Sequence, residues 1–240
     1  DDTQRPFVPI RMDMPGWSRT AGFYSIIRGG IGKHKLNINF SGHYNTSLAE
    51  MTMYSNNPTE NDMFMLTWPG VDTYVTGLFF EDKIQLNEEW STNLTIGTSF
   101  NDNMIKNQFG LESLRIFYPN MNKSNFRWLK NIGFGFTSNR NNWVNNFGVG
   151  FGDRAPSISE GYGFYLFNSM DSYDYIGNPE MKNEKSLDFS ASTSYGFYNG
   201  FIKAQLNYFR LYDYILGRLQ PLMLPMTIGA NGIKKYEQIS

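Results

Sequence analysis

Cysteine is absent from the 240 residues, so neither a disulfide framework nor a thiolate metal site can be built. Histidine is scarce: the 2 present, His34 and His43, lie an odd number of positions apart on one candidate strand and so point to opposite faces. They cannot share a site with each other. No run of about 18 apolar residues occurs, which excludes a transmembrane helix. Charge of either sign is not in excess: 21 Lys and Arg against 22 Asp and Glu leave a net charge of -1, with no electrostatic pull toward nucleic acid. Also missing are a nucleophile elbow, a phosphate loop, a helix with paired His ligands and a zinc pattern, so the chain reads as a non-enzyme.

Aromatic residues make up 17% of the chain, and Gly and Asn punctuate it throughout. The mean hydropathy of -0.44 is low. That is compatible with a membrane wall made of strands, because such a strand buries only alternate side chains in lipid. Alternation of this kind recurs along the chain. It is clearest from His34 to Thr46, where Leu36, Ile38, Phe40 and Tyr44 alternate with Lys35, Asn37, Asn39, Ser41 and His43. Further strands are expected over Thr20 to Arg28, Asp72 to Leu86, Trp90 to Phe100, Phe126 to Thr137, Asn142 to Gly152, Glu184 to Phe197 and Phe201 to Leu216. The chain would begin another strand at its end, after Gly232.

Short and long connections alternate. Gly29 to Lys33, Asn87-Glu88-Glu89, Ser138 to Asn141 and Tyr198-Asn199-Gly200 are short, and Asn-Gly is a strong hairpin signal. Ser47 to Val71, Asn101 to Lys123, Arg154 to Asn183 and Gly217 to Asn231 are long. Tight turns at one end and long loops at the other describe an antiparallel up-and-down transmembrane β-barrel. A soluble sandwich rarely puts every long connection at one end. Trp90, Phe126, Trp128, Trp143, Tyr195, Phe197 and Tyr208 fall at or near strand ends, where aromatic girdles meet the headgroup layer, although aromatic residues favour strands in any case.

Methionine dominates the remainder. Met12 and Met14, Met51 and Met53, and Met63 and Met65 are spaced two apart, and Met223 and Met226 three apart. Residues two apart in an extended segment share a face, so each such pair can present two thioethers in one direction. Thioether sulfur is soft and uncharged and suits Cu(I). All 12 Met are expected in long loops or the N-terminal segment. Met51, Met53, Met63 and Met65 are the candidate metal ligands, and all eight Met are candidate ligand-binding residues. The competing reading is that Met packs adaptable loops against one another. Asp171, Asp174 and Glu180 could hold calcium but lack the spacing of a calcium loop. Ser157 and Glu160 form a capping box, with Pro156 expected at the first helical position.

Two half-motifs carry a resemblance. Phe151-Gly152-Asp153-Arg154-Ala155-Pro156-Ser157 ends one strand, and Gly177-Asn178-Pro179-Glu180-Met181-Lys182 with Glu184-Lys185-Ser186 opens the next. Together they resemble the barrel of TonB-dependent outer-membrane receptors, with Met181 at a usual Leu and Asn183 at a usual Pro, changes expected to alter the chemistry little. Arg11 to Thr20, around Pro15-Gly16, resembles a loop-to-strand junction near the external vestibule of the same family. There Arg11, Asp13 and Arg19 could hydrogen-bond a ligand or a plug loop, or the segment could be a structural turn.

The resemblance implies an all-β fold: about eight or nine strands of a barrel of the 22-strand type, with residues 1–240 a portion of the barrel domain and no plug in view. No signal peptide is visible at Asp1-Asp2-Thr3-Gln4, so the sequence is expected to be a piece, completed by a plug and further strands. It implies a place in the Gram-negative outer membrane, contact with lipid, and energy from a TonB–ExbB–ExbD complex. The expected function is uptake of a scarce ligand, a metal or metal chelate, with copper preferred and an iron–siderophore next. Alternatives are a glycan or vitamin importer stacking its ligand on Tyr162, Phe164, Tyr165, Phe167, Tyr173 and Tyr175, a passive porin or adhesin, and an outer-membrane hydrolase.

Overall fold

The computed structural model describes residues 10–55, 59 and 61–240. Asp1 to Gln4, the place inspected for a leader, lies outside them. In chain order the strands are β1 (Ile10–Asp13), β2 (Gly16–Ile31), β3 (His34–Ser55), β4 (Met63–Gln85), β5 (Trp90–Ile105), β6 (Ser124–Arg140), β7 (Trp143–Arg154), β8 (Leu166–Asn168), β9 (Tyr173–Ile176), β10 (Glu184–Phe197), β11 (Gly200–Tyr212), β12 (Tyr214–Leu219) and β13 (Ile233–Ile239). Helix α1 (Gln108–Arg115) follows β5, and α2 (Ile158–Tyr162) follows β7.

Nine strands form one antiparallel, unclosed sheet, in the order β1-β3-β4-β5-β6-β7-β10-β11, with β2 also on β3. From β2 on, each strand of this sheet pairs with its sequence neighbour, apart from the insertion of α2, β8 and β9 between β7 and β10, while β1 continues the line of β2 along β3. This is the meander expected of a partial barrel. The remaining strands, β12-β13-β9-β8, form a four-stranded sheet.

Registers put the large side chains on one face. The cross-strand row Ile27, Ile38, Phe80, Ile96, Ile132, Phe151, Leu187 runs through seven strands. Ile96, Ile132, Phe147 and Phe189 on this face stay exposed. Among the described residues neither helix nor the smaller sheet covers it: the smaller sheet meets β10 through β12, and on the other side of the main sheet α1 packs on β4 and β5 and α2 on β4. The opposite face is polar, as where Thr73 Oγ1 donates to Asn103 Oδ1 at 2.7 Å and Asn103 Nδ2 to Asn101 Oδ1 at 3.0 Å.

Aromatic pairs mark two heights. Trp90 packs on Phe136 at 4.9 Å and Trp143 on Tyr195 at 4.9 Å at the tight-turn end. Tyr44 meets Tyr74 at 5.0 Å and Phe100 stacks on Phe126 at 5.7 Å higher up. From Trp90 to Phe100 on β5 the strand rises about 33 Å along its axis. At a tilt of about 40° that is about 25 Å of height, the thickness of the apolar band of an outer-membrane barrel.

The strands are longer than alternation alone indicates. β3 runs on to Ser55, and β4 begins at Met63. Most of the expected long connection from Ser47 to Val71 is therefore strand, rising above the band. β5 likewise continues to Ile105, and α1 fills part of the next connection. β1 and β2 hold one register against β3, with Asp13 opposite Thr52 and Gly16 opposite Ala49. Pro15 O even accepts Glu50 N at 2.9 Å, as a strand carbonyl would. The break at Met14-Pro15 is thus an interruption in one strand, and the expected turn at Pro15-Gly16 is not formed. Proline there lies on an edge strand, where its missing N–H is tolerated.

Candidate functional site

Above the band, the upper ends of β1, β3 and β4 carry the Met-x-Met pairs. Met12, Met51, Met53, Met63 and Met65 are in strands and Met14 is at the break after β1, which corrects the expectation that the Met51, Met53, Met63 and Met65 pairs lie in a long loop. Met12 lies opposite Met53, and Met53 opposite Met63. Met51 lies opposite Met65, and the β1–β2 register carried through the break puts Met14 opposite Met51. Six methionines thus form two cross-strand rows on the inner face. Directly opposite residues have Cβ atoms about 4.5–5.5 Å apart, within reach of one another's thioethers.

A bulge sets this register. Two extra residues of β4 around Trp68-Pro69-Gly70 shift its upper half against β3. Gly70 has φ +66°, which an L side chain rarely adopts. Helix α1 seats on the bulge through Gly110, where any Cβ would collide with Pro69. Asn107 caps the helix, Oδ1 accepting Phe109 N at 2.9 Å and Gly110 N at 3.3 Å.

The two rows differ in burial. Met51 and Met65 are sealed in a core with Val71, Ile105, Leu111 and Leu114, which Met121, Tyr118, Tyr162 and Phe164 also join. Met12 and Met53 are partly buried against that core. Met14 and Met63 are exposed. Thr227 Oγ1 approaches Met51 Sδ at 3.9 Å. Its loop is pinned by Asp174, whose Oδ2 accepts Met226 N at 2.8 Å and Thr227 N at 2.9 Å. Met226 and Met223 are on this loop, over the patch rather than in its rows. Met121 and Thr227 carry no signal in sequence, since their place depends on which loops fold over which strands.

Arg11 and Asp13 project from the other face of β1. Arg11 Nη2 donates to Asp13 Oδ2 at 2.8 Å and Nε to Oδ1 at 3.2 Å, and the guanidinium lies 5.4 Å from the Tyr54 ring. The structure does not bring them to the methionines. His34 Nδ1 and Asp82 Oδ2 are 2.7 Å apart on the outer face, while His43 is on the inner face. Of the three calcium candidates, two carboxylates are engaged by protein donors: Asp174 Oδ2 as above, and Asp171 Oδ2, which receives Tyr175 Oη at 2.7 Å and Lys234 Nζ at 2.8 Å. Among the described residues no group of three or more His, Cys, Asp or Glu could hold a metal ion.

The half-motifs prove to be a joint. Arg154 donates to Glu160 at 2.7 and 3.2 Å and to Glu184 at 3.2 and 3.1 Å. Glu160 closes a reciprocal capping box with Ser157, which makes Ser157 the cap and puts Pro156 just before it, not at the first helical position. Glu184 also accepts Ile215 N at 3.0 Å. Burial alone would raise the Glu160 carboxyl; hydrogen bonds from Arg154 and Ser157 outweigh it and hold the group below its ordinary value. Met181 is buried as a Leu would be. Asn183 is less neutral than expected: its Nδ2 donates to Trp128 O at 3.0 Å and its Oδ1 accepts Arg127 Nη1 at 3.3 Å. A proline could make neither contact.

A meander wall with aromatic girdles, a polar inner face and an elaborated rim is the arrangement of part of a transmembrane β-barrel. Residues 10–221 match the family described as TonB dependent receptor-like, beta-barrel, and the chain belongs to that family. It is an outer-membrane family of Gram-negative bacteria, and its members are transporters, not enzymes. Among solved structures, "Copper transporter OprC" matches with a TM-score of 0.74 at 14% identity, over 95% of this chain and 34% of that one. The Serratia marcescens hemophore receptor HasR, solved with its hemophore HasA and heme, matches with a TM-score of 0.54 at 12% identity, over 95% of this chain and 38% of that one. The chain therefore spans about a third of the length of the structures it resembles. No curated protein matches the sequence.

Proposed function

We propose that this chain is a portion of the barrel domain of a TonB-dependent receptor that imports a metal or metal chelate, with Cu(I) the preferred cargo. A plug and further strands would complete the barrel, and TonB with ExbB and ExbD would supply the energy. The observation that carries the ligand reading is the three Met-x-Met pairs stacked in register on three adjacent strands of the inner face. Soft thioethers without competing thiolates or imidazoles suit a soft monovalent cation. Met12, Met53 and Met63 form the accessible row, and Met51 and Met65 pack beneath it. At the identities above, the likeness to a copper transporter is one of fold, so copper rests on the methionines. An iron–siderophore is the second ligand of the same class.

The glycan or vitamin reading has less to stand on, because Tyr162, Phe164 and Tyr175 are buried and only Tyr165, Phe167 and Tyr173 remain partly exposed for stacking. The passive porin reading loses support from the family itself. The test is a Cu(I) titration of the intact receptor beside a variant with Met12, Met53 and Met63 all changed to Leu, which keeps the packing volume. Affinity should fall by about a hundredfold or more, the worth of at least two lost ligands at about tenfold per 1.4 kcal/mol. Unchanged affinity sinks copper and leaves the receptor reading standing.

A further inference from the structure

We propose that the lipid-facing wall carries a seat for one acyl chain of an outer-leaflet lipid. A groove of about 630 Å³ opens on the outer face at the height of the upper girdle. It crosses β2 to β6, a span of about 19 Å at a spacing of about 4.8 Å per strand. Its floor is made of small residues, Ala21, Gly42 and Thr76. Its walls are the ring pairs Tyr44–Tyr74 and Phe100–Phe126.

Gly42 gives the groove its depth. A Cβ there would lie 3.0 and 3.1 Å from the Phe23 ring, so any side chain would push that ring aside and raise the floor. Asp102 stands at the edge of the groove, its Oδ1 accepting Ser124 Oγ at 2.6 Å, so the polar rim and the apolar trough are arranged as a headgroup and a chain would require.

The occupant follows from position. The trough is continuous with the exposed apolar rows that the bilayer covers, and it lies on the far side of the sheet from the methionine patch, so a ligand travelling inside the barrel does not meet it. Its lining is almost wholly apolar and aromatic, which suits hydrocarbon better than a polar ligand. Its volume falls in the range of sites that bind one small molecule.

The test uses the full receptor in lipid nanodiscs containing phosphatidylethanolamine with a photoactivatable acyl chain. Crosslinks should concentrate on Tyr44, Tyr74 and Phe100, and Gly42→Leu should lower them about tenfold, as expected for removing the burial of about two methylenes. Thr76→Leu, a milder filling at an exposed floor position, should lower them less and guards against misfolding of the first variant. Phe147→Leu, on the same face but away from the groove, should leave them unchanged. Crosslinks spread evenly around the wall, or undiminished in both filling variants, overturn the proposal.

Discussion

The part of the sheet at membrane height and the part above it are built from the same strands with opposite sidedness. On β3, Leu36, Ile38, Phe40 and Tyr44 face outward below, whereas Ala49, Met51 and Met53 face inward above, with Glu50, Thr52 and Tyr54 outside. The solvent explains the reversal. Below, hydrocarbon lies outside and water inside, and every backbone group must be satisfied within the wall. Above, water lies outside, and the inner face packs against α1, α2 and the connection between β12 and β13. One β-strand serves two environments by switching which of its two residue sets is apolar.

The most direct way to break this comparison is Met51→Ala. If the upper sheet is a packed core, the change should cost about 2–5 kcal/mol, read as loss of protection of the 155–183 segment from proteolysis in the intact receptor. An unchanged digestion pattern would mean that the upper layer is held by its strand ladder alone.

At membrane height the equivalent test compares neighbours on β11. Leu206 and Gln205 are both exposed but on opposite faces. Leu206→Arg should cost about 2–4 kcal/mol, whereas Gln205→Arg, toward the lumen, should cost little. Heat-modifiable mobility of the assembled receptor reads both, and equal effects would contradict a lipid-facing wall.

The smallest effect concerns the joint between the two regions. Glu160 has a folded pKa below its ordinary 4.5, so its contribution is present above that value and is lost as pH falls through the lower, folded one. Arg154→Gln should remove about 1–3 kcal/mol at neutral pH and flatten the acid dependence of the extracellular layer below about pH 4.5. Hydrogen exchange of residues 158–162 measured against pH checks it, and a wild-type profile in the variant would show that the ion pairs do not fasten the joint.

The wall was legible because its signal is local. Alternation bounds the strand from Glu184 to Phe197 as the structure has it, and starts strands at Trp90 and His34. The strand extensions were not legible, because Ser47 to Val71 contains Pro58, Pro69 and Gly70 and a reversal of phase, all of which read as loop. The candidate site was half legible. The pairs Met12/Met14, Met51/Met53 and Met63/Met65 announced themselves by spacing, while Arg11 and Asp13 looked like partners and instead occupy the opposite face.

By itself, then, the order of residues determined the alternation, the tight turns, the two half-motifs and the pairing of thioethers within each strand, because each depends on neighbours a few positions away. Only the tertiary structure decided that three such pairs share a face and line up in two rows, that Arg154 ties two carboxylates 24 positions apart in the chain, and that Gly42 opens a trough between rings from other strands. Those outcomes depend on register across strands, and register is fixed by ladders and by one bulge that no short stretch of sequence can reveal.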